Sequence, residues 1–215
     1  MICVRVIPGE PSLPNFLFDS LWPALLIWTL LYISDYRLTI ICARLYRAGV
    51  NEKIVFEGSY ELTPLFQKDI DALKTISPRF VFMLLLTDSL MAFVWYLTRD
   101  SVPQMYEFLL GAMILIELTV HLRHLRNFVS FRAMRNSSDV RGRIEYSRPF
   151  ILRMSYSELF VFSGFYLLLF AFLQQWFLLG GAASCLSAAI KHRKYAKKAL
   201  LKQAALLESP GQSPS

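Results

Sequence analysis

The chain has 215 residues, of which 55% are hydrophobic and only 18% charged, with a mean hydropathy of +0.41. Soluble domains average about 45–50% apolar and about 25% charged residues, and the apolar residues here gather in blocks long enough to cross a bilayer. An ordinary cytosolic enzyme, a disordered tail and a disulfide-stapled secreted domain are thereby excluded.

Lys and Arg total 23 against 16 acids, a net charge of +7. In so apolar a chain that excess reads as cytoplasmic loops at a membrane surface, and no nucleic-acid partner is expected. Cys3, Cys42 and Cys185 are odd in number and form no CxxC pair, so Cys42 and Cys185 read as small packing residues.

The first apolar block runs from about Phe16 to Ala43 and is uncharged from Leu21 to Ile33. No basic cluster precedes it and no small-residue cleavage site follows it, so it reads as a span that is retained. Asp35 lies toward its far end. Thr63-Pro64 then opens a predicted amphipathic helix over 63–76, with Thr63 as N-cap and Pro64 at the first position. Its apolar face is Leu65, Phe66, Ile70 and Leu73, with Lys68, Asp69 and Asp71 pointing elsewhere, as in a helix lying in the cytoplasmic interface.

The second span covers 79–97, opened by Ser77-Pro78, with Asp88 at its middle. The third covers 102–125 and carries Glu117, His121, Arg123 and His124 in its second half. A polar connector follows, Arg126 to Arg153, rich in arginine. The final block, Tyr156 to Ile190, has one charge, Glu158, and is too long for one upright span.

Gln174-Gln175 form a polar tip and Gly180-Gly181 weaken a continuous helix, which favours two spans, 156–173 and 176–190. With two crossings, all nineteen basic residues of 44–79, 126–153 and 191–202 fall on the cytoplasmic side, as short loops prefer. The predicted fold is therefore an all-α, polytopic bundle of five spans, four if the last block crosses once. Its N-terminus lies outside and its C-terminus inside, with residues 1–205 forming a single domain and 206–215 a disordered tail. The expected setting is integral to a membrane, the cytoplasmic (inner) one in a prokaryote. The expected partners are the bilayer itself, anionic lipid headgroups at the arginine-rich connector, and a second copy or a membrane partner subunit.

Glu117-x3-His121-x2-His124 places three polar groups at about 0°, 40° and −20° round one helix, a single stripe. A carboxylate with two imidazoles suits a divalent metal or a proton relay. The plainer reading sets the histidines at headgroup level, against lipid phosphate. In the five-span topology Asp35, Glu117, His121 and Glu158 share the cytoplasmic half of the membrane, and Asp88 lies nearer the midplane.

Lone intramembrane charges cost about 2.5–3.5 kcal/mol on insertion scales, so these groups are expected to face one another or water. Asp35 and Arg37 are about 200° apart and cannot pair; Asp35 lines up with Thr39 and Cys42. Glu61 either supports the start of the amphipathic helix or lids the cavity. No Walker A, GxGxxG or GxSxG pattern occurs, which argues against a nucleotide-driven pump, a Rossmann enzyme and a hydrolase with the usual serine elbow.

Three functions remain. The first is movement of protons, ions or a small solute through Asp35, Asp88, Glu117, His121 and Glu158. The second is a metal-dependent intramembrane enzyme with Glu117, His121 and His124 as ligands and Asp35 or Glu158 as base. The third is an assembly subunit whose polar groups only fasten helices.

Overall fold

A computed structural model describes residues 13–58, 61–136 and 141–207. Its helices are α1 (Leu13–Phe18), α2 (Leu21–Arg47), α3 (Gln67–Asp71), α4 (Pro78–Thr98), α5 (Pro103–Asn136), α6 (Arg148–Leu173) and α7 (Trp176–Leu207). Two three-residue strands, β1 (Ile54–Phe56) and β2 (Ile144–Tyr146), complete the fold. Helices α2, α4, α5 and α6 are long and apolar enough to cross a membrane. Many of their large apolar side chains face outward, among them Trp22, Phe82, Val161 and Phe172. That inverts the pattern of a soluble bundle and marks an integral membrane protein. Helix α7 falls short of the criterion because its apolar part ends at Ile190, roughly 15 residues against the ~20 that hydrocarbon demands.

Side-chain pairings fix the helix directions. Trp28 meets Thr87 and Tyr36 stacks on Phe80, so α2 and α4 run antiparallel. Ser34 meets His121 and Thr39 meets His124, so α2 and α5 run parallel. Ser155 meets His192 and Ser163 bonds to Ala182, so α6 and α7 run antiparallel. The last reversal occurs at Gln174, whose left-handed backbone (φ 54°) caps α6 through a bond from its own amide to Phe170. The chain therefore rises and falls along one axis, and Arg44, Arg79, Arg123, Arg148 and Lys191 all fall at the same end.

Helix α7 runs unbroken through Gly180-Gly181, so the glycines serve contact, not interruption. A Cβ on Gly180 would stand 1.9 Å from the Phe108 carbonyl oxygen of α5, and one on Gly111 would stand 1.8 Å from that of Phe177. The two backbones touch there, in the small-residue manner of membrane helices. In the same half of the bundle Ala24, Trp28, Met91, Tyr106 and Leu110 pack into a buried cluster.

Three expectations need correction. Regular helix in the 63–76 region is confined to the five residues of α3; turns flank it, and Leu73 ends it with φ 51°. Thr63 opens a turn through its carbonyl, not a helix. Ile70 packs against Tyr36 and Phe80 as the apolar face requires, but Asp69 is buried too. It accepts hydrogen bonds from Ser77 (2.6 Å) and Lys74 (2.9 Å). Those bonds, with Arg79 nearby, hold its carboxyl below the usual carboxylate range. Ser77 in turn caps α4 by accepting from the Phe80 amide (3.3 Å), as the Ser-Pro start implied.

Secondly, α5 continues past residue 125 to Asn136, because its arginines are good helix formers outside the bilayer. Thirdly, the connectors are not plain loops. β1 and β2 pair in parallel, Ile54 opposite Ile144, and the Glu57 carboxylate accepts from the Arg148 amide (2.8 Å). Tyr146 stacks between Phe56 and Phe150. The tail assigned to disorder lies, from residue 208 on, outside the described residues.

Candidate metal centre

A cavity of about 540 Å3 opens between α2, α5, α6 and α7 at the basic end of the bundle, with Phe56 of β1 and Tyr146 of β2 on its wall. No lining residue precedes Tyr32 on α2, Ile116 on α5 or Ala188 on α7, and none follows Leu159 on α6. Beyond that level the Trp28–Met91–Tyr106–Leu110 cluster fills the bundle. The cavity is thus blind at one end, open at the other, and confined to half of the bundle.

Asp35, Glu117 and Glu158 line it together with Glu61, Arg123, Arg126, His124, Lys191 and His192. Beside the lining residues Asp35 and Glu117, and with His121 just off the cavity wall, one ligand atom from each of the three lies within 4.8 Å of the other two. The hydroxyls and rings around these groups admit one consistent set of donors and acceptors. Ser34 Oγ stands 3.0 Å from the Leu31 carbonyl and 2.9 Å from His121 Nε2, and with its one hydrogen on the carbonyl it accepts from Nε2–H. His121 therefore holds its hydrogen on Nε2 and has a lone pair on Nδ1. That lone pair lies 3.6 Å from Asp35 Oδ1, and both atoms are buried without a well-directed hydrogen bond. Two acceptors that face each other with a second carboxylate beside them repel, and a cation between them removes the repulsion.

His124 is held differently. Thr39 Oγ1 donates to the Asp35 carbonyl (3.0 Å), so it accepts from His124 Nδ1–H (2.8 Å). Asp35 Oδ1 lies 3.0 Å from the same nitrogen, off the N–H direction. This leaves Nε2 of His124 as the basic nitrogen. The sequence stripe Glu117–His121–His124 is thus split by the fold, with Asp35 joining Glu117 and His121 while His124 stands behind Asp35.

The other predicted residues are placed apart. Asp88 accepts from Thr29 at 3.3–3.4 Å, on the side of Asp35 away from the cavity mouth. Glu158 accepts from Arg123 (2.5 Å) and Arg126 (3.3 Å). Glu61 accepts from the Thr63 amide (2.7 Å) and lines the cavity.

Sequence reasoning passed over Ser34 and His192. Ser34 signals itself only through the hydrogen-bond arithmetic at His121. His192, two residues beyond the apolar stretch of α7, bonds to Ser155 (2.7 Å). Burial and the cations Arg123, Lys191 and Arg148 push it down to about 4. No family model, no curated protein and no solved structure matches the chain.

Proposed function

We propose that the protein is a five-span membrane protein, N-terminus out and C-terminus in, that binds a divalent cation at Asp35, Glu117 and His121 and acts on a molecule held in the cavity. The antiparallel hairpin of α6 and α7 and the gathering of basic residues at one bundle end support that topology. Reporter fusions at Gln175 and Lys202 are expected on opposite faces; the same face for both would reduce the spans to four and put the basic run of α7 on the face opposite the arginine-rich connector.

The observation that carries the catalytic reading is the opposed pair Asp35 Oδ1 and His121 Nδ1, with Glu117 beside it. Tetrahedral ligands about 2.1 Å from an ion stand about 3.4 Å apart. Asp35 and His121 are already 3.6 Å apart, and the group as a whole, spanning up to 4.8 Å, closes onto an ion by a shift of about an ångström. One nitrogen and two carboxylates suit Mn2+ or Zn2+. Three protein ligands leave positions for water or substrate, the arrangement of catalytic rather than structural sites. When bound, the ion would supply Lewis acidity or an activated water. Asp35 and Glu117 would hold it, Ser34 would fix the His121 ring, and His124 would take a proton on Nε2.

A blind chamber much larger than an ion favours a held substrate over a conducted ion. Purified protein is expected to retain close to one Mn2+ or Zn2+ per chain and the His121→Ala protein almost none. Metal-free protein that gains no thermal stability from either ion would sink the reading. A second reading, movement of protons or small cations, draws on the Thr29–Asp88 pair on the closed side of the chamber. It requires proteoliposome flux that falls in Asp88→Asn.

A further inference from the structure

The wall across the cavity has an electrostatic imbalance. Arg123 and Arg126, one turn apart on α5, share the single carboxylate of Glu158. The Nη2 group of Arg123 is buried with no hydrogen-bond partner among the described residues. Lys191 of α7 lines the same chamber, and no described carboxylate forms an ion pair with it. Glu158 balances one of these three cations, and the two left over share the chamber with Asp35, Glu61 and Glu117 and with the apolar Phe66, Phe80, Ile151 and Met154.

A buried guanidinium nitrogen without an acceptor is costly, and an oxyanion is the ligand that resolves it. The guanidinium fork matches tetrahedral phosphate as well as it matches carboxylate. A phosphomonoester near neutral pH carries about −1.5 to −2 charge, which matches the excess on the wall. A carboxylate would meet half of it. The proton affinity of His192 is lowered first by burial and then by Arg123, Lys191 and Arg148, so two of the three wall cations are felt at this spot.

We propose that Arg123, Arg126 and Lys191 form an anion subsite that holds a phosphate group of the substrate, facing the Asp35–Glu117–His121 centre across the chamber. Calling the bound molecule a substrate rests on the cation reading; the subsite itself does not. The phosphate reaches the recess either on a lipid headgroup, with acyl chains along the apolar wall, or on a water-soluble ester from the open end.

Full-length protein in phosphatidylcholine nanodiscs, with divalent ions chelated, separates these cases. Glycerol phosphate is titrated in solution, and phosphatidic acid is doped into the disc, with thermal stabilisation as the readout. Stabilisation by phosphatidic acid alone assigns a lipid headgroup, and stabilisation by glycerol phosphate a soluble ester. In either arm, Arg126→Gln and Lys191→Gln, both at exposed positions, are expected to weaken the response about tenfold each. Glu158→Gln, which releases two guanidiniums, is expected to strengthen it wherever that protein folds.

No stabilisation by either compound overturns the subsite, as does full binding by both Arg126→Gln and Lys191→Gln. Glu117→Gln distinguishes the two proposals: a variant that has lost Mn2+ yet still responds to phosphate supports the subsite and its independence from the metal. A wild-type protein that binds phosphate and never a cation sinks the metal reading while the anion site stands.

Discussion

Replacing Gly180 by alanine is expected to unfold or part the bundle, at a loss on the order of 3 kcal/mol or more. One methyl group at this position would stand 1.9 Å from the Phe108 carbonyl oxygen and 2.8 Å from the Ala112 amide nitrogen, both backbone atoms of α5. A side chain in the way could rotate aside, but backbone cannot, so α5 and α7 must separate along their contact. In lipid nothing restores that contact, because helix association there depends on close packing and not on hiding apolar surface from water.

Gly164 on α6 is the internal control. It is exposed and helical, and a Cβ there meets nothing within 4 Å. Gly164→Ala is therefore expected to be neutral or to add up to about 1 kcal/mol through helix propensity. Thermal unfolding in detergent, followed by circular dichroism, compares the two. Equal melting of both variants would mean that α5 and α7 do not touch as described.

Glu117→Gln is expected to lower divalent-cation affinity at least about 100-fold, close to 3 kcal/mol, while leaving the metal-free protein as stable as the wild type or more so. The two effects have opposite signs for a physical reason. Glu117 and Asp35 place two carboxylates within one small group of ligand atoms, and without a cation their charges oppose each other. Neutralising one relieves that repulsion and removes a ligand in the same step. Such a trade between stability and activity is characteristic of functional sites. A merely structural polar contact predicts the reverse, a destabilised protein with unaltered metal binding. Melting temperature with and without Mn2+ gives both answers from a single preparation.

The long helices were legible in the sequence because hydrophobic run length is a direct reading of bilayer thickness. The apolar blocks lie within long helices, except that the first starts only at Leu21, Phe16 to Phe18 belonging to the short α1, and the Gln174-Gln175 reversal falls where the polar tip stood. The interfacial helix failed for a specific reason: Asp69 lay on the polar side by periodicity, yet Ser77 and Lys74 provide it with buried partners. A contact between residues eight apart can override the amphipathic pattern of a short segment. The strands were invisible because three residues cannot display a period.

At the centre, a helical wheel correctly put Glu117, His121 and His124 on one stripe. It could not tell that Asp35, 82 positions away from Glu117, would displace His124 from the group. That choice depends on how α2 docks in parallel on α5, and on the hydroxyls of Ser34 and Thr39 that set the two rings in opposite tautomers. Arg123 was readable as a charge near headgroups; its pairing with Glu158, and the place of Lys191 on the same cavity wall, required the packing of three helices.

The parallel ladder between Ile54–Phe56 and Ile144–Tyr146 has a bearing on biosynthesis. Its partners are 90 positions apart, so a ribosome adding about 5–20 residues per second makes the second strand roughly 5–18 s after the first. During that interval the first strand has no mate, and α2 with α4 must settle in the lipid beside an unroofed chamber. The ladder can close only as α6 and α7, the last walls of the chamber, are about to be made, and until they emerge nascent protein is exposed to premature ligands and to proteases.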